Sequence, residues 1–391
     1  MITNRPSDSQ HRLSTVAARA AVAEEAAHGA VMPPLHLSSN FRFKSFGVPD
    51  RYDYTRSGNP TRTELEQALA RLEGGTRAVA TPSGMAAVTL LLSRLRPGAR
   101  LVAPFDGYGG THRLMSTLAE RAQIELLFLD YGAQEAEARL RAFRPDLVWL
   151  ETPSNPLLRI TDLRRCISWA RAVGAEVAVD NTFLTPFGQQ PFRFGADFVV
   201  HSTTKAINGH SDVVAGAVVA RTEAQGEDIA WWANCLGLCQ APFDAYMTLR
   251  GLRTLPMRLR QMEASALHLA ARLRAAQGVA AVHFPGLRDH PGHAIALEQQ
   301  SSFGFMLAFE LSEGRAAAQA FVESLCLFTL AESLGGVESL VCHPRTMTHA
   351  AMDEAARLKA GIGEGLLRLA VGCEGLEDLV EDLNRGLAAV R

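Results

Sequence analysis

The feature that most constrains the fold is an alternation of short apolar runs with helical segments, which begins near Thr61. Residues 61–72 carry leucines at helical spacing and are followed by two glycines, a pattern typical of a helix and its end. We predict strands at 100–103, 124–129, 147–151, 177–180 and 198–201. Helices are predicted between them at 111–121, 135–144 and 162–173. Alternating elements predict an α/β fold, in which a mostly parallel sheet carries helices on both faces.

The chain on either side of this alternation has a different character. Residues 1–60 contain one helical stretch, at 14–28, and are otherwise rich in proline, serine and aromatic residues. Such a segment has no core of its own and needs another surface, such as a neighbouring subunit. Residues 242–273 are rich in helix formers, and strands are predicted at 305–311 and 366–371. We therefore predict an N-terminal arm (1–60), a large domain (61–250) and a small C-terminal α+β domain (251–391).

Composition excludes several classes of function. The 391 residues carry 39 basic and 41 acidic side chains, a net charge of −2, and nucleic-acid binding needs a basic surface. Uncharged runs stop short of the ~20 apolar residues that span a membrane. The polar N-terminus, Met1 to Arg12, lacks the apolar core of a secretory signal. Six dispersed cysteines indicate reduced thiols, and the single C-x3-C at 235–239 is too weak to predict a metal site. We expect a cytoplasmic protein without a metal.

Lysine is scarce in this chain, and the scarcity points to one position. Of the 39 basic residues only Lys44, Lys205 and Lys359 are lysines. A lysine can lose its proton and act as a nucleophile, whereas arginine stays charged. Lys205 ends the run F-V-V-H-S-T-T-K, in which an apolar strand delivers two hydroxyls and an amine at its carboxyl end. This arrangement suits a Schiff-base lysine beside phosphate-binding hydroxyls, although a surface lysine after a strand is the ordinary alternative.

Two further pieces give Lys205 a definite partner. The strand V-A-V-D ends at Asp180, and pyridoxal phosphate needs an acid that keeps its ring nitrogen protonated. The run T-P-S-G-M-A-A at 81–87 leads into a helix, whose first N–H groups bind phosphate well. Each piece alone has a plainer explanation, a capping Asp or an ordinary helix start. Together they predict contacts for the aldehyde, ring nitrogen and phosphate of one cofactor.

The chain also carries a set of longer motifs. They are D-F-V-V-H-S-T-T-K (197–205), N-G-H-S-D-V (208–213), Y-x-R-x-G-N-P-T (54–61), D-x-Y-G-G (106–110), E-T-P-S-N-P (151–156), V-D-N-T-F (179–183) and L-A-E-S-L-G-G-V-E-S-L (330–340). In these motifs the chain resembles the pyridoxal-phosphate enzymes of Cys/Met metabolism, from about residue 31 to the C-terminus. The resemblance implies the aminotransferase-like fold (fold type I), with a mostly parallel seven-stranded sheet in the large domain, which binds the cofactor.

The resemblance implies how pyridoxal 5'-phosphate is held. Lys205 forms the covalent aldimine and moves protons, and Asp180 pairs with the ring nitrogen. Tyr108 stacks on the ring and assists proton transfer. The phosphate is bound within the subunit by Gly84, Met85, Ser202 and Thr204, and from the neighbouring subunit by Tyr54 and Arg56.

The resemblance also implies a substrate site for small amino acids. Arg368 grips the α-carboxylate, with Asn155 nearby. Arg113 faces the distal carboxylate of a succinyl ester, although a surface charge is the plainer explanation there. Glu332 lines the pocket, where a surface charge is again the plainer explanation, and Asp53 and Ser333 complete the substrate-binding set.

Shorter motifs select a branch of the family. A-W-W-A-N (230–234), P-L-L-R (156–159) and H-L-S-S (36–39) resemble the γ-synthase branch. We therefore expect γ-replacement, which forms L-cystathionine and succinate from O-succinyl-L-homoserine and L-cysteine, a step of methionine biosynthesis by transsulfuration. Ser57 stands where γ-synthases often carry a second Arg, so a γ-lyase that cleaves L-cystathionine to L-cysteine, 2-oxobutyrate and ammonia is the alternative. Gly110 stands where methionine γ-lyases carry Cys.

A nicotinamide-dependent dehydrogenase is the alternative from another class, since it would use a similar sheet. The chain lacks G-x-G-x-x-G after its first strand, and the glycines at 361, 363 and 365 come too late. The roles implied for Tyr54 and Arg56 make a homodimer the minimal active form, and the resemblance favours a homotetramer.

Overall fold

The computed structural model describes residues 11–22, 27–350, 352 and 354–390. In chain order its elements are α1 (Leu13–Ala18), α2 (Pro60–Glu73), β1 (Arg77–Thr81), α3 (Gly84–Ser93), β2 (Ala99–Pro104), α4 (Gly109–Glu120), β3 (Ile124–Leu129), α5 (Ala136–Phe143), β4 (Leu147–Glu151), α6 (Leu163–Ala172), β5 (Glu176–Asp180), α7 (Thr185–Gly188), a 3-10 turn (Pro191–Phe194), β6 (Phe198–His201), β7 (Gly216–Ala220), α8 (Glu223–Leu236), α9 (Pro242–Leu252), α10 (Leu255–Arg274), β8 (Val279–His283), α11 (His293–Gln299), β9 (Met306–Leu311), α12 (Gly314–Ser324), β10 (Thr329–Leu330), β11 (Leu340–Cys342), α13 (Glu354–Ala360), β12 (Leu366–Ala370) and α14 (Leu376–Ala389).

The chain divides into two compact units. The first unit spans Met1–Arg94 and Phe198–Pro256, and the second spans Leu95–Asp197 and Met257–Arg391. The mostly parallel seven-stranded sheet of the predicted α/β fold is confirmed: three strands, in the order β1-β7-β6, belong to the first unit, and four, in the order β5-β4-β2-β3, to the second. The division at residues 60 and 250 stays a prediction.

The first unit is organised around β7, an apolar strand that is buried along its whole length. β7 runs antiparallel to both β1 and β6. Helix α2 starts where the Asn59 side chain accepts hydrogen bonds from the N–H groups of Thr61 and Arg62, and it ends at Gly74 in the left-handed conformation. These local signals agree with the helix predicted at 61–72, which is one residue longer at each end in the structure.

The second unit contains parallel strands and a separate five-stranded sheet. Strands β5, β4, β2 and β3 are parallel, so their carboxyl ends lie at one edge. The smaller sheet has the order β10-β11-β12-β9-β8 and packs its apolar face on α12 and α14, around the edge-to-face pair of Phe309 and Phe321. The predicted strands at 305–311 and 366–371 are confirmed here as β9 and β12.

Other elements differ from their predictions. Strands β3, β4 and β6 have the predicted bounds, whereas β7 was not predicted from its short, small-residue sequence. Helix α1 ends at Ala18, well before residue 28, and residues 23–26 of that prediction lie outside the described residues. Most of the polar N-terminus also lies outside them. Within the described ranges, the structure has no helix both long enough and apolar enough to cross a bilayer.

Candidate active site

Lys205 lies in the first unit, in a turn that follows β6. The Lys205 N–H donates to the Ser202 carbonyl at 3.1 Å, and the Lys205 carbonyl accepts from the Gly209 N–H at 2.8 Å. Lys205 is half-buried. Helix α9 packs closely against this turn, because a side chain at Gly251 of α9 would collide with the Asn208 carbonyl. The amine therefore lies just after the carboxyl end of β6, in a turn that packs on α9.

A narrow cradle lies beside this turn, at the start of α3. Ser83 caps the helix by accepting from the Ala86 N–H at 3.0 Å. A Cβ atom on Gly84 would lie 2.7 Å from the Ser202 Cβ and 2.9 Å from its Oγ. A Cβ on Gly216, at the start of β7, would overlap the Ser83 carbonyl. Two glycines thus bring helical N–H groups, which have no acceptor inside the helix, against the Ser202 hydroxyl.

The other predicted phosphate ligands differ in their bonding. The Thr204 Oγ1 donates to the Ala215 carbonyl and accepts from the Ala215 N–H, both at 2.9 Å. Its hydroxyl proton is therefore used inside the protein. Met85 is half-buried in the first turn of α3 and contributes a backbone N–H of the same class as Gly84. Both roles stay predictions.

The arm residues predicted to act on a neighbour are exposed. Tyr54 is 47% exposed, and the Arg56 guanidinium lies over its ring at 5.4 Å from the centroid. Arg56 Nε also donates to Asn234 Oδ1 at 3.0 Å. Asp53 accepts from the Ser57 hydroxyl at 2.6 Å, and this bond is the main cause of a lowered pKa for the Asp53 carboxyl. The Ser57 hydroxyl therefore holds the Asp53 carboxylate in place and does not supply the positive charge that an Arg at this position would add.

Asp180 lies in the second unit, at the carboxyl end of β5. It is half-buried and accepts a hydrogen bond from the Thr182 N–H at 3.0 Å. Its register partner on β4 is Glu151, a buried carboxyl at the same sheet edge. Burial raises the pKa of Glu151 well above its usual range, and the negative charges of Asp180 and Asp106 act in the same direction. The protonated form of Glu151 is therefore favoured at this edge of the sheet.

Tyr108 depends on Glu151 for its placement. The Tyr108 N–H donates to Glu151 Oε2 at 2.8 Å, and Tyr108 is 43% exposed. A Cβ on the preceding Gly107 would lie 3.2 Å from the same oxygen. The sequence reasoning missed Glu151. Its position in E-T-P-S-N-P, at the end of the strand next to Asp180, was the available signal.

Arg368 and Asn155 form a buried pair in the second unit. Arg368 Nη1 donates to Asn155 Oδ1 at 2.9 Å, and Nη2 donates to the Ser333 carbonyl at 2.9 Å. Arg368 is 2% exposed, and its Nε–H finds no acceptor in the described part of the chain. A buried guanidinium with an unused donor is a strong anion site. Arg113 and Glu332, by contrast, are exposed, and their roles stay predictions.

These features agree with a bound pyridoxal phosphate. The Gly84–Ser202 cradle offers helical N–H groups and a hydroxyl where side chains are excluded, which suits a phosphate. Lys205, Asp180 and Tyr108 supply an amine, an acid and an aromatic ring. Each is of the residue type that this cofactor requires.

Comparisons with known proteins agree with this chemistry. The family model described as "Cys/Met metabolism PLP-dependent enzyme" matches residues 14–388. Cystathionine gamma-synthase of Escherichia coli is 48% identical over 377 residues, which cover 96% of this chain and 98% of that protein. Cystathionine gamma-lyase of Bacillus subtilis is 40% identical and covers 92% of this chain and 94% of its own length.

A solved structure is similar over nearly the whole chain. It is cystathionine gamma synthase from Xanthomonas oryzae pv. oryzae in complex with aminoacrylate and cysteine, with a TM-score of 0.96 and 55% identity. The match covers 97% of this chain and 98% of that one. The predicted fold and cofactor are thereby confirmed, and the dehydrogenase alternative does not agree with the family match.

Proposed function

The chain belongs to the pyridoxal-phosphate-dependent enzymes of cysteine and methionine metabolism, and from that premise we propose that it forms L-cystathionine and succinate from O-succinyl-L-homoserine and L-cysteine. The observation that carries the proposal is the buried Arg368–Asn155 pair with its unused Nε–H donor. Such a pair selects a ligand with a carboxylate, and both substrates are α-amino acids. The similarity to two γ-synthases, at 48% and 55% identity, supports this branch.

The residues that would hold the cofactor are those of the cradle and the two strand ends. Ser202, Gly84 and Met85 would bind its phosphate, Lys205 its aldehyde carbon and Asp180 its ring nitrogen. When bound, pyridoxal phosphate withdraws electrons from the bonds at the substrate Cα, which makes protons there easier to remove. Burial favours the protonated form of Glu151, which would make Asp180 the acid of the pair that binds a protonated ring nitrogen.

The chain's own side chains would then bind and move protons. Arg368 orients the substrate by its α-carboxylate, with Nε completing the two-donor fork. Lys205 Nζ takes the proton from Cα and serves as the base for Cβ, and the Tyr108 hydroxyl assists it. In the net reaction the Cγ–O bond to succinate breaks and a Cγ–S bond to cysteine forms. The thiol proton is released with the carboxylic acid product.

A second candidate is cleavage of L-cystathionine by γ-elimination. Ser57 favours it, because the Ser57 hydroxyl is bonded to Asp53 and to the Tyr54 carbonyl and provides no charge for a succinyl carboxylate. The γ-lyase of Bacillus subtilis is also similar along most of the chain. Arg113 remains the residue that would bind the distal carboxylate.

The test compares the two reactions in one preparation. The purified holoenzyme is incubated with O-succinyl-L-homoserine and L-cysteine, and cystathionine and succinate are quantified. In parallel, 2-oxobutyrate release from L-cystathionine is measured. Cystathionine formation faster than its cleavage supports the proposal, and the reverse favours the lyase. The acetyl and phosphoryl esters of homoserine, assayed alongside, identify the acyl group.

The same proposal includes an oligomer in the cytoplasm. The arm exposes a set of apolar side chains that a single copy leaves uncovered: Val31, Leu37, Phe43, Phe46 and Val48. A second copy of the chain would cover them and would receive Tyr54 and Arg56, which gives a homodimer and, by the resemblance, a homotetramer. The six dispersed cysteines of the sequence support a reducing compartment. Sedimentation equilibrium measures the oligomeric state.

A further inference from the structure

One buried carboxylate in the second unit joins two loops that both carry predicted site residues. Asp106 lies in the loop between β2 and α4, two residues before Tyr108, and is 8% exposed. Its Oδ2 accepts from the Ser154 hydroxyl at 3.0 Å and from Arg159 Nη1 at 2.8 Å. Ser154 precedes Asn155 in the loop that follows β4. A single oxygen therefore ties the Tyr108 loop to the Asn155 loop.

Arg159 extends this connection to a third segment. While Nη1 binds Asp106, Nη2 donates to the carbonyl of Ala360 at 2.9 Å, and the guanidinium lies over the Phe105 ring at 5.4 Å from the centroid. The Asn155 loop itself is closed by two bonds. The Ser154 N–H donates to the Arg159 carbonyl at 2.9 Å, and the Ser154 Oγ accepts from the Arg159 N–H at 3.3 Å. A planar fork with a donor on each side fixes direction as well as distance.

The connection ends at the carboxylate-binding pair. Asn155 is 4% exposed and its Oδ1 accepts from Arg368. On its other side the Asn155 carbonyl faces His349 Nε2 at 3.1 Å. Asn155 is thus held from the loop side by Ser154, from β12 by Arg368 and from the turn that follows β11 by His349. A shift of the loop would change where Asn155 places its acceptor, and so where Arg368 presents its free Nε–H.

We propose that Asp106, through Ser154 and Arg159, is a positioning residue that sets the geometry of the Asn155–Arg368 carboxylate site. This rests on the proposed function only in the ligand class, an α-amino acid. Neither Asp106 nor Arg159 needs to contact the ligand. A misplacement of about 1 Å in a binding group costs up to about 100-fold in kcat/KM, which makes such a role measurable.

The same two strands provide a matched control at their opposite ends. Asp146, just before β4, accepts from the Arg100 N–H at 2.8 Å and from Arg96 at 3.2 Å. It ties the start of β2 to the start of β4, as Asp106 ties the loops after them. Asp106→Ala and Asp146→Ala therefore each remove a carboxylate that ties β2 to β4, one at the site edge and one, more exposed, at the opposite ends of the strands.

The experiment measures recognition of the carboxylate in the holoenzyme. Wild type and variants are titrated with L-2-aminobutyrate, which has no γ leaving group, and with n-propylamine, which lacks the carboxylate. Binding is followed by the visible absorbance of the cofactor. The dissociation constant of n-propylamine divided by that of L-2-aminobutyrate reports carboxylate recognition, whichever reaction the enzyme catalyses. Failure of the synthase assay would therefore leave this test valid.

We expect Asp106→Ala to reduce that ratio by about 10-fold or more and to raise KM for the amino-acid substrate, with cofactor content unchanged. Arg159→Ala should act in the same direction and add little to Asp106→Ala in the double variant. Asp106→Asn, which retains an acceptor, should recover part of the ratio. Asp146→Ala should keep the wild-type ratio.

If Asp106→Ala keeps the ratio, or if Asp146→Ala lowers it equally, the proposal is wrong. Thermal unfolding identifies a variant that fails to fold, and Asp106→Asn then decides.

Discussion

The two units build their parts of the predicted site by opposite means. In the first unit the Gly84 cradle is made of backbone, because glycine at 84 and 216 lets main-chain segments approach where any side chain would collide. In the second unit the carboxylate site is made of buried charged and polar side chains, with Arg368, Asn155 and Asp106 held by hydrogen bonds from three segments. In a site built of backbone, each approaching segment is specified by a short local run. A site built of side chains depends on every partner in its network.

The first way to test this contrast is to remove the amine of the first unit. Lys205→Ala should lower turnover by about 1,000-fold or more, because a positioned general acid–base contributes about 10²–10⁴-fold. The variant should also lose covalent cofactor. Mass spectrometry after borohydride reduction measures this directly, since the wild-type chain gains the cofactor mass.

Lys359→Ala is the matched control, because Lys359 is an exposed lysine whose ammonium lies 5.9 Å from the centre of the Phe105 ring. It should retain both activity and the mass increase. A Lys205→Ala chain that still gained the cofactor mass would contradict the assignment of Lys205.

The second prediction concerns the side-chain site. Arg368→Lys should raise KM for the amino-acid substrate by about 10- to 100-fold, since a charged hydrogen bond contributes about 1.5–3 kcal/mol and lysine cannot reproduce the fork. Steady-state kinetics measure the effect, which should fall on KM more than on cofactor content. Arg345→Lys is the control, because Arg345 also binds two acceptors, Glu354 and Glu364, at 2.6 and 2.7 Å. An unchanged KM in Arg368→Lys would show that the substrate carboxylate binds elsewhere.

The same contrast explains what the sequence could predict. Gly84, Ser202 and Lys205 lie within short runs, 81–87 and 202–205, where an apolar strand leads into a glycine or hydroxyl cluster, so the local pattern indicated each of them. Gly216, the other glycine of the cradle, lies outside these runs and was not predicted. Arg368 and Asn155 are 213 residues apart, and nothing local in either segment indicates the other. Their pairing came only from the family resemblance.

The sequence analysis did not predict the residues that hold other site residues in place. Glu151 and Asp106 lie inside recognised motifs, yet their roles depend on the register of β4 with β5 and on the path of the loop after β4. Strand β7 was missed for a related reason. Its sequence G-A-V-V-A is short and made of small residues. Its backbone pairs with β1 and β6 on both sides, and helices α3 and α8 pack against it. Tertiary context, rather than local propensity, makes it a strand.

A third prediction uses pH, to which a side-chain network is sensitive. Burial lowers the pKa of His349 from 6.5 to about 4, and the charge of Arg368 acts in the same direction. Between these values the unfolded chain binds a proton at His349 that the folded chain does not, so the free energy of unfolding falls as pH falls. At pH 5 the loss is about 2 kcal/mol relative to pH 7.

Chemical denaturation at both pH values measures it, with His349→Gln as the comparison. The Gln variant should lack this part of the pH dependence. His290, whose pKa is also lowered to about 4, should contribute its own share in both proteins. Identical pH dependence in wild type and His349→Gln would mean that the His349 ring is not held neutral beside Asn155.

The smallest expected effect lies in the cradle. Gly84→Ala should weaken cofactor binding by about tenfold, because the new Cβ would lie 2.7 Å from the Ser202 Cβ and overpacking costs about 1–3 kcal/mol. Equilibrium titration of the apoenzyme with pyridoxal phosphate measures this.

Gly132→Ala, whose nearest neighbour is the Asp130 side chain at 3.3 Å, is the control. Ser202→Gly removes the two nearest atoms that the new methyl would meet and leaves the Cα of residue 202 at 3.1 Å, although it also removes a phosphate ligand. If the cradle is set by close approach, Gly84→Ala should therefore cost less in the Ser202→Gly background than in wild type. Equal costs in the two backgrounds would show that Gly84 serves another purpose than clearance.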